Sequence, residues 1–132
     1  MITFGMARQT ALEVFEASPE AKVYVLEPEK ARRLGGRTML MPSGTQVLAA
    51  IQAIPAGETR TVIQIRKQLA AESGAEITCP VALSRLWRSI AELDYGPWWR
   101  VTVNGKPNPI MPGGITAHRE HIVNEQAHGS SI

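Results

Sequence analysis

Three side chains near the C-terminus have types and spacing that suit chemistry. His118, His121 and Glu125 recur at i, i+3 and i+7, close to one face of a helix. Two imidazoles and a carboxylate so placed can bind a divalent metal, but the sequence offers no fourth ligand, so neither a metal nor any other cofactor is expected. Cys79 is the only thiol. It stands in Thr78-Cys79-Pro80, a helix start, where the helix terminus favours a thiolate. Its place in the chain makes an inert, partly buried cysteine the simpler reading. A lone cysteine forms no internal disulfide, which fits a reducing compartment. No triad, phosphate loop or paired-carboxylate motif is present, so unrelated enzymology ranks last among the functional classes.

Charge is the other chemical resource. The whole chain carries a net +2 with a pI near 9.0, too little for a generally basic protein. Residues 60–106 hold seven positive side chains (Arg60, Arg66, Lys67, Arg85, Arg88, Arg100, Lys106) against four negative ones (Glu72, Glu76, Glu92, Asp94). That local excess of three permits phosphate contact without strong non-specific binding. A solvated face has the same composition.

The elements that must position these residues are readable from caps and periodicity. In a chain of 132 residues, 44% hydrophobic and 20% charged, one ordinary core is expected and global disorder is not. Apolar residues recur at helical spacing in 45–53 (Val47, Leu48, Ile51), in 61–72 (Val62, Ile65, Leu69) and in 80–93 (Leu83, Leu86, Trp87, Ile90). Ser43 or Thr45, Thr61 and Pro80 supply the start signals. Trp98 to Val103 is aromatic and β-branched, and Asn104-Gly105 after it signals a tight hairpin. Thr116 is the expected cap of a last helix. The fold class expected is mainly α with a small β-hairpin, a winged helix-turn-helix, whose third helix enters the major groove.

Residues 1–42 read as an extension packed on a 43–126 domain, with a short strand at Lys22 to Leu26 and one or two helical turns at Glu29 to Leu34. Residues 127–132 read as a frayed tail. No apolar run suits a membrane span or signal peptide, so the expected location is cytoplasmic, with no membrane partner.

Three ordered motifs carry a family resemblance. Ile54-Pro55-Ala56-Gly57-Glu58-Thr59-Arg60-Thr61 is similar to the IP-x-G-x-T-x-T entry of the alkylguanine-DNA alkyltransferase DNA-binding domain. Pro97-Trp98-Trp99-Arg100-Val101 stands where that family has Pro-Cys-His-Arg-Val. Gly113-Gly114-Ile115, followed by Arg119 and Glu125, resembles its closing helix. The family accepts an alkyl group from a flipped guanine onto its cysteine, activated by the histidine. Here Trp98 replaces the cysteine and Trp99 the histidine, so the resemblance implies a non-enzymatic protein. A tryptophan in place of the cysteine resembles the alkyltransferase-like branch, which binds alkylated guanine, bends the DNA and hands the lesion to nucleotide excision repair.

On that resemblance, double-stranded DNA is the partner, with repair proteins downstream. Thr61, Arg85, Arg88, Arg100 and Lys106 would contact DNA, Arg85 being the nearest match to the arginine that fills the gap left by a flipped base. Val62, Pro97, Trp98 and Trp99 would line the base pocket, and Glu125 would be structural. Val62 departs from the family's tyrosine, and Trp99 from its histidine. The alternative reading is a winged-helix transcription regulator or protein-interaction module that has lost the base pocket.

Overall fold

Within residues 9–129, which the computed structural model describes, helices begin where a side chain holds the first free N–H groups. Thr10 and Glu13 form a reciprocal capping box at α1 (Ala11–Glu16). α2 (Pro28–Leu34) starts on proline and stops at Gly35, whose φ of +85° suits a residue without a Cβ. Ser43 caps α3 (Gly44–Gln52) by accepting from the Gln46 N–H. α4 (Val62–Ser73) opens on a second capping box, Thr61 with Gln64. α5 (Pro80–Leu93) follows Cys79, and α6 spans Gly114–Gly129. The helices expected from periodicity at 45–53, 61–72 and 80–93 are therefore present as α3, α4 and α5.

Among the described residues five short strands accompany the helices: β1 (Lys22–Val25), β2 (Thr38–Met41), β3 (Arg60–Thr61), β4 (Ile77–Thr78) and β5 (Val101–Thr102). β1 pairs antiparallel with β2, and β2 parallel with β4, in the order β1-β2-β4. β3 and β5 pair in parallel as a separate ribbon. The result is a mixed α/β architecture, mainly helical.

The core joins Leu40 of β2 to Val47 and Ile51 of α3, Ile65 and Leu69 of α4, and Leu83, Trp87 and Ile90 of α5. Each such side chain stabilises by about 1.5–3 kcal/mol through burial. Residues 38–41 thus share the core of the helices that follow, and α1 packs against α5. The strand and the helical turns expected between 22 and 34 are present as β1 and α2; α1 and β2 are additional. No helix among the described residues is long and apolar enough to cross a membrane.

Four expectations are corrected. Trp98 to Val103 is not a continuous strand: Trp98–Arg100 form a 3-10 turn, and only Val101–Thr102 are extended. The turn forms because Arg100 N–H reaches the Pro97 carbonyl at 3.0 Å, and the two indoles meet edge to face with ring centroids 5.9 Å apart. Asn104 and Gly105 do make the tight turn, with φ of +53° and +84°. The hairpin it closes is a single bridge between Val103 and Lys106, because Pro107 follows. β5 takes its ladder partner from β3 rather than from a wing strand. The last helix starts at Gly114, ahead of Thr116. Gly113 permits this, since a Cβ there would lie 2.5 Å from the Ala117 Cβ. α6 continues through Gly129, so residues 127–129 of the expected tail are helical, and residues 130–132 lie outside the described residues.

Candidate nucleic-acid interface

α5 has one apolar face and one open face. Leu83, Leu86, Trp87 and Ile90 are buried, whereas Val81, Ser84, Arg85, Arg88 and Glu92 are exposed. α5 follows α4 across the 74–79 connection, which contains β4. Arg85 Nη2 donates to Gln9 Oε1 at 2.7 Å, and Arg88 Nε donates to Glu92 Oε1 at 3.0 Å. A cleft of about 590 Å³ runs between α1 and this face, lined by Gln9, Val14, Arg85, Arg88 and Glu92. The Arg88–Glu92 pair is solvent-exposed and contributes only about 0.3–0.5 kcal/mol, so a phosphate can replace the carboxylate.

Thr61 Oγ1 caps α4, and Thr61 pairs in register with Thr102, just before the turn that carries exposed Lys106. The ribbon therefore places these two expected contacts near each other. Arg100 is different. Its Nε and Nη2 form a fork onto the Glu125 carboxylate, at 3.0 and 2.8 Å, and its Nη1 donates to the Ile54 carbonyl at 2.7 Å. The two side chains are only 15% and 16% exposed. Arg100 is turned inward, and its guanidinium binds the protein itself. Bidentate, charge-assisted geometry of this kind is among the stronger polar contacts.

The Gly57 N–H also donates to Glu125 Oε1, at 3.1 Å. One carboxylate thus ties together the Ile54–Gly57 loop, the Trp98–Arg100 turn and α6, which carry the three sequence motifs. Hydrogen bonds from Arg100 hold the Glu125 carboxyl below the usual carboxylate range, against the opposing effect of burial. The Trp99 indole N–H is buried and faces this carboxylate without a hydrogen bond of ordinary geometry. The group that Glu125 holds in place is an arginine, Arg100.

The Trp98-Trp99 pair does not frame an open pocket. Trp98 is 3% exposed, its carbonyl accepts from Trp87 Nε1 at 2.9 Å, and its ring lies against His118, His121 and Trp99. Trp99 is half-buried and stacks on His121, with ring centroids 4.6 Å apart. Pro97 precedes the turn, and Val62 packs partly buried against the core.

His118 is fully buried. Its Nδ1 accepts from the Asn108 N–H at 2.9 Å, so the proton sits on Nε2, which donates to the Trp99 carbonyl at 3.2 Å. Burial pushes its pKa below the ordinary imidazole value, opposed by the Trp99 and Val101 carbonyls. Both ring nitrogens are engaged, and so is Glu125. Among the described residues no group of three or more His, Cys, Asp or Glu side chains is arranged to hold a metal. Cys79 sits at the head of α5, its sulfur 3.5 Å from the Ala82 N–H. Trp87, whose indole N–H donates to the Trp98 carbonyl, lies about 12 Å further along the helix axis.

Sequence reasoning missed Gln9 and Glu92 as partners of the α5 arginines, and the Arg100–Glu125 pair. The i, i+4 spacing of Arg88 and Glu92 was a usable signal; nothing local pointed from Arg85 to Gln9. Comparison with protein-family models, curated proteins and solved structures found no match to this chain.

Proposed function

We propose that the protein is a non-catalytic, duplex DNA-binding protein of alkyltransferase-like type, which grips phosphates through α5 and leaves its former base pocket closed. One observation supports the reading: α5 follows α4 across a short connection and exposes Arg85 and Arg88 at the mouth of the cleft beside α1. Thr61 and Lys106 add polar and positive groups on the neighbouring ribbon. Two arginines and a lysine suit moderate, salt-dependent affinity, since each neutralised phosphate contributes about 0.9 to the slope of log affinity against log salt.

The closed pocket separates this reading from lesion sensing with hand-over to excision repair. Admission of a base would require Trp98 to leave a site where it is 3% exposed. Trp98 and Trp99 supply neither a nucleophile nor a base, and Cys79 lies elsewhere. Intact mass should therefore be unchanged after incubation with duplex carrying guanine methylated on its exocyclic oxygen. Fluorescence anisotropy with matched duplexes, plain and methylated, tests the binding reading. Equal, salt-sensitive affinities are expected. A large preference for the methylated duplex would show an open pocket, and no binding to either would favour an interaction module.

A further inference from the structure

A second surface lies away from α5, on strand β1. This strand is at one end of the β1-β2-β4 sheet, and all four of its residues are exposed. The Leu26 N–H donates to the Arg37 carbonyl at 2.8 Å, continuing the ladder in register with Tyr24↔Met39 and Lys22↔Met41. Antiparallel pairs alternate between bonded and non-bonded. The backbone N–H and C=O groups of Val23 and Val25 therefore face away from β2, toward an edge that no described residue pairs. An exposed row of donors and acceptors with apolar side chains is a template for another strand.

Beside this edge lies a cavity of about 380 Å³, lined by Val25, Leu26, Pro28, Ala31, Arg32 and Arg37 among others. Among the described residues its charged lining groups are the two arginines. Val25 is 84% exposed at its mouth, alongside Tyr24 at 48% and Val23 at 45%. Arg37 reaches Glu76 only at 3.9 Å, with its side chain 87% exposed.

We propose that β1 is a docking edge for an extended acidic segment of a partner protein, which adds as a further strand. Its alternate apolar residue enters the Val25–Ala31 cavity, and its carboxylates meet Arg32 and Arg37. Main-chain bonds to Val23 and Val25 supply the affinity, and the arginine-rimmed cavity the selectivity. The charge of the rim favours an acidic strand over a second copy of this chain, which would bring the same guanidinium groups together.

A random dodecapeptide library displayed on phage and panned on the full-length protein tests this. The recovered peptides should carry Asp or Glu beside β-branched or aromatic residues at alternate positions. Val25→Pro removes an outward N–H and leaves the β2 ladder intact, because proline is tolerated on the open side of an edge strand. It should weaken a recovered peptide by roughly fivefold or more, as expected for a lost hydrogen bond at a blocked edge. Arg32→Glu, at an exposed helical position, should weaken it as well and keeps the test decisive even if proline perturbs the strand. Val25→Pro should retain wild-type affinity for duplex DNA, so failure here is distinct from failure of the DNA-binding reading. Recovery of no peptide, of peptides lacking acidic residues, or of peptides indifferent to both variants would overturn the proposal. So would a wild-type dimer, seen by sedimentation, that Val25→Pro dissolves.

Discussion

Arg88 and Arg100 are the same residue type in one short stretch of chain, yet the fold uses them in opposite ways. Arg100 sits on a tight turn whose bulky neighbours are pulled inward, and it meets Glu125 at 15% exposure with a fork of hydrogen bonds. Arg88 lies on the outer face of a helix, with its side chain 50% exposed, against a carboxylate it can release. The Arg100 junction holds elements together; the Arg88 face is free to hold something else. Charge in the sequence is therefore a poor guide to charge on the surface, and the decisive variable is whether the backbone turns the side chain inward.

Substitution in the closed region should give the largest effects. Trp98→Ala removes a buried indole from the cluster formed by Trp99, His118 and His121, and should cost about 3–5 kcal/mol in denaturant unfolding. A cost below about 1 kcal/mol would mean that Trp98 is not a core residue, and would reopen the base-pocket reading.

Arg100→Ala comes next. It strands the Glu125 carboxylate and the Gly57 loop, for an expected loss of about 2–4 kcal/mol, less than for a fully buried pair because some exposure remains. The same pair sets the acid limb of stability. The lowered Glu125 pKa contributes stability that is present above the ordinary carboxylate range and is lost as pH falls through the folded value. His118 is also lowered, so its contribution is complete above about pH 6.5 and declines as pH falls below it. Unfolding free energy should thus fall in two stages on acidification, and Arg100→Ala should flatten the lower one. An unchanged lower stage in Arg100→Ala would remove the ion pair from the account.

On the open face the effect on stability should be small. Arg88→Ala breaks an exposed pair and should change unfolding free energy by less than about 0.5 kcal/mol. A change of the size expected for Arg100 would erase the contrast between the two regions.

The parts of this fold that the sequence made legible are those fixed by local chemistry. Ser43, Thr61 and Pro80 mark helix starts because capping is decided within one turn, and Asn104-Gly105 marks its turn because both residues tolerate positive φ. The capping box of Thr10 and Glu13 was equally local, but the helix it opens is too short to show periodicity. β2 was illegible because four residues whose partners, β1 and β4, lie elsewhere in the chain carry no period of their own. The extended reading of Trp98 to Arg100 failed because aromatic content signals burial as readily as strand. For the site, the stripe of Arg85 and Arg88 followed from helical spacing alone. The inward turn of Arg100 depended on Ile54 and Glu125, far away in sequence, and only the assembled fold could disclose it.

The most direct test of the central claim is the salt dependence of duplex DNA binding by the wild type, Arg88→Ala and Arg85→Ala. The account predicts weaker binding by Arg88→Ala to plain and methylated duplex alike, with the slope of log affinity against log salt reduced in magnitude by roughly 0.9. Arg85→Ala should behave in the same way, because Gln9 leaves its charge uncompensated. If both variants bind as the wild type does at every salt concentration, α5 is not the DNA-binding face, and the claim fails.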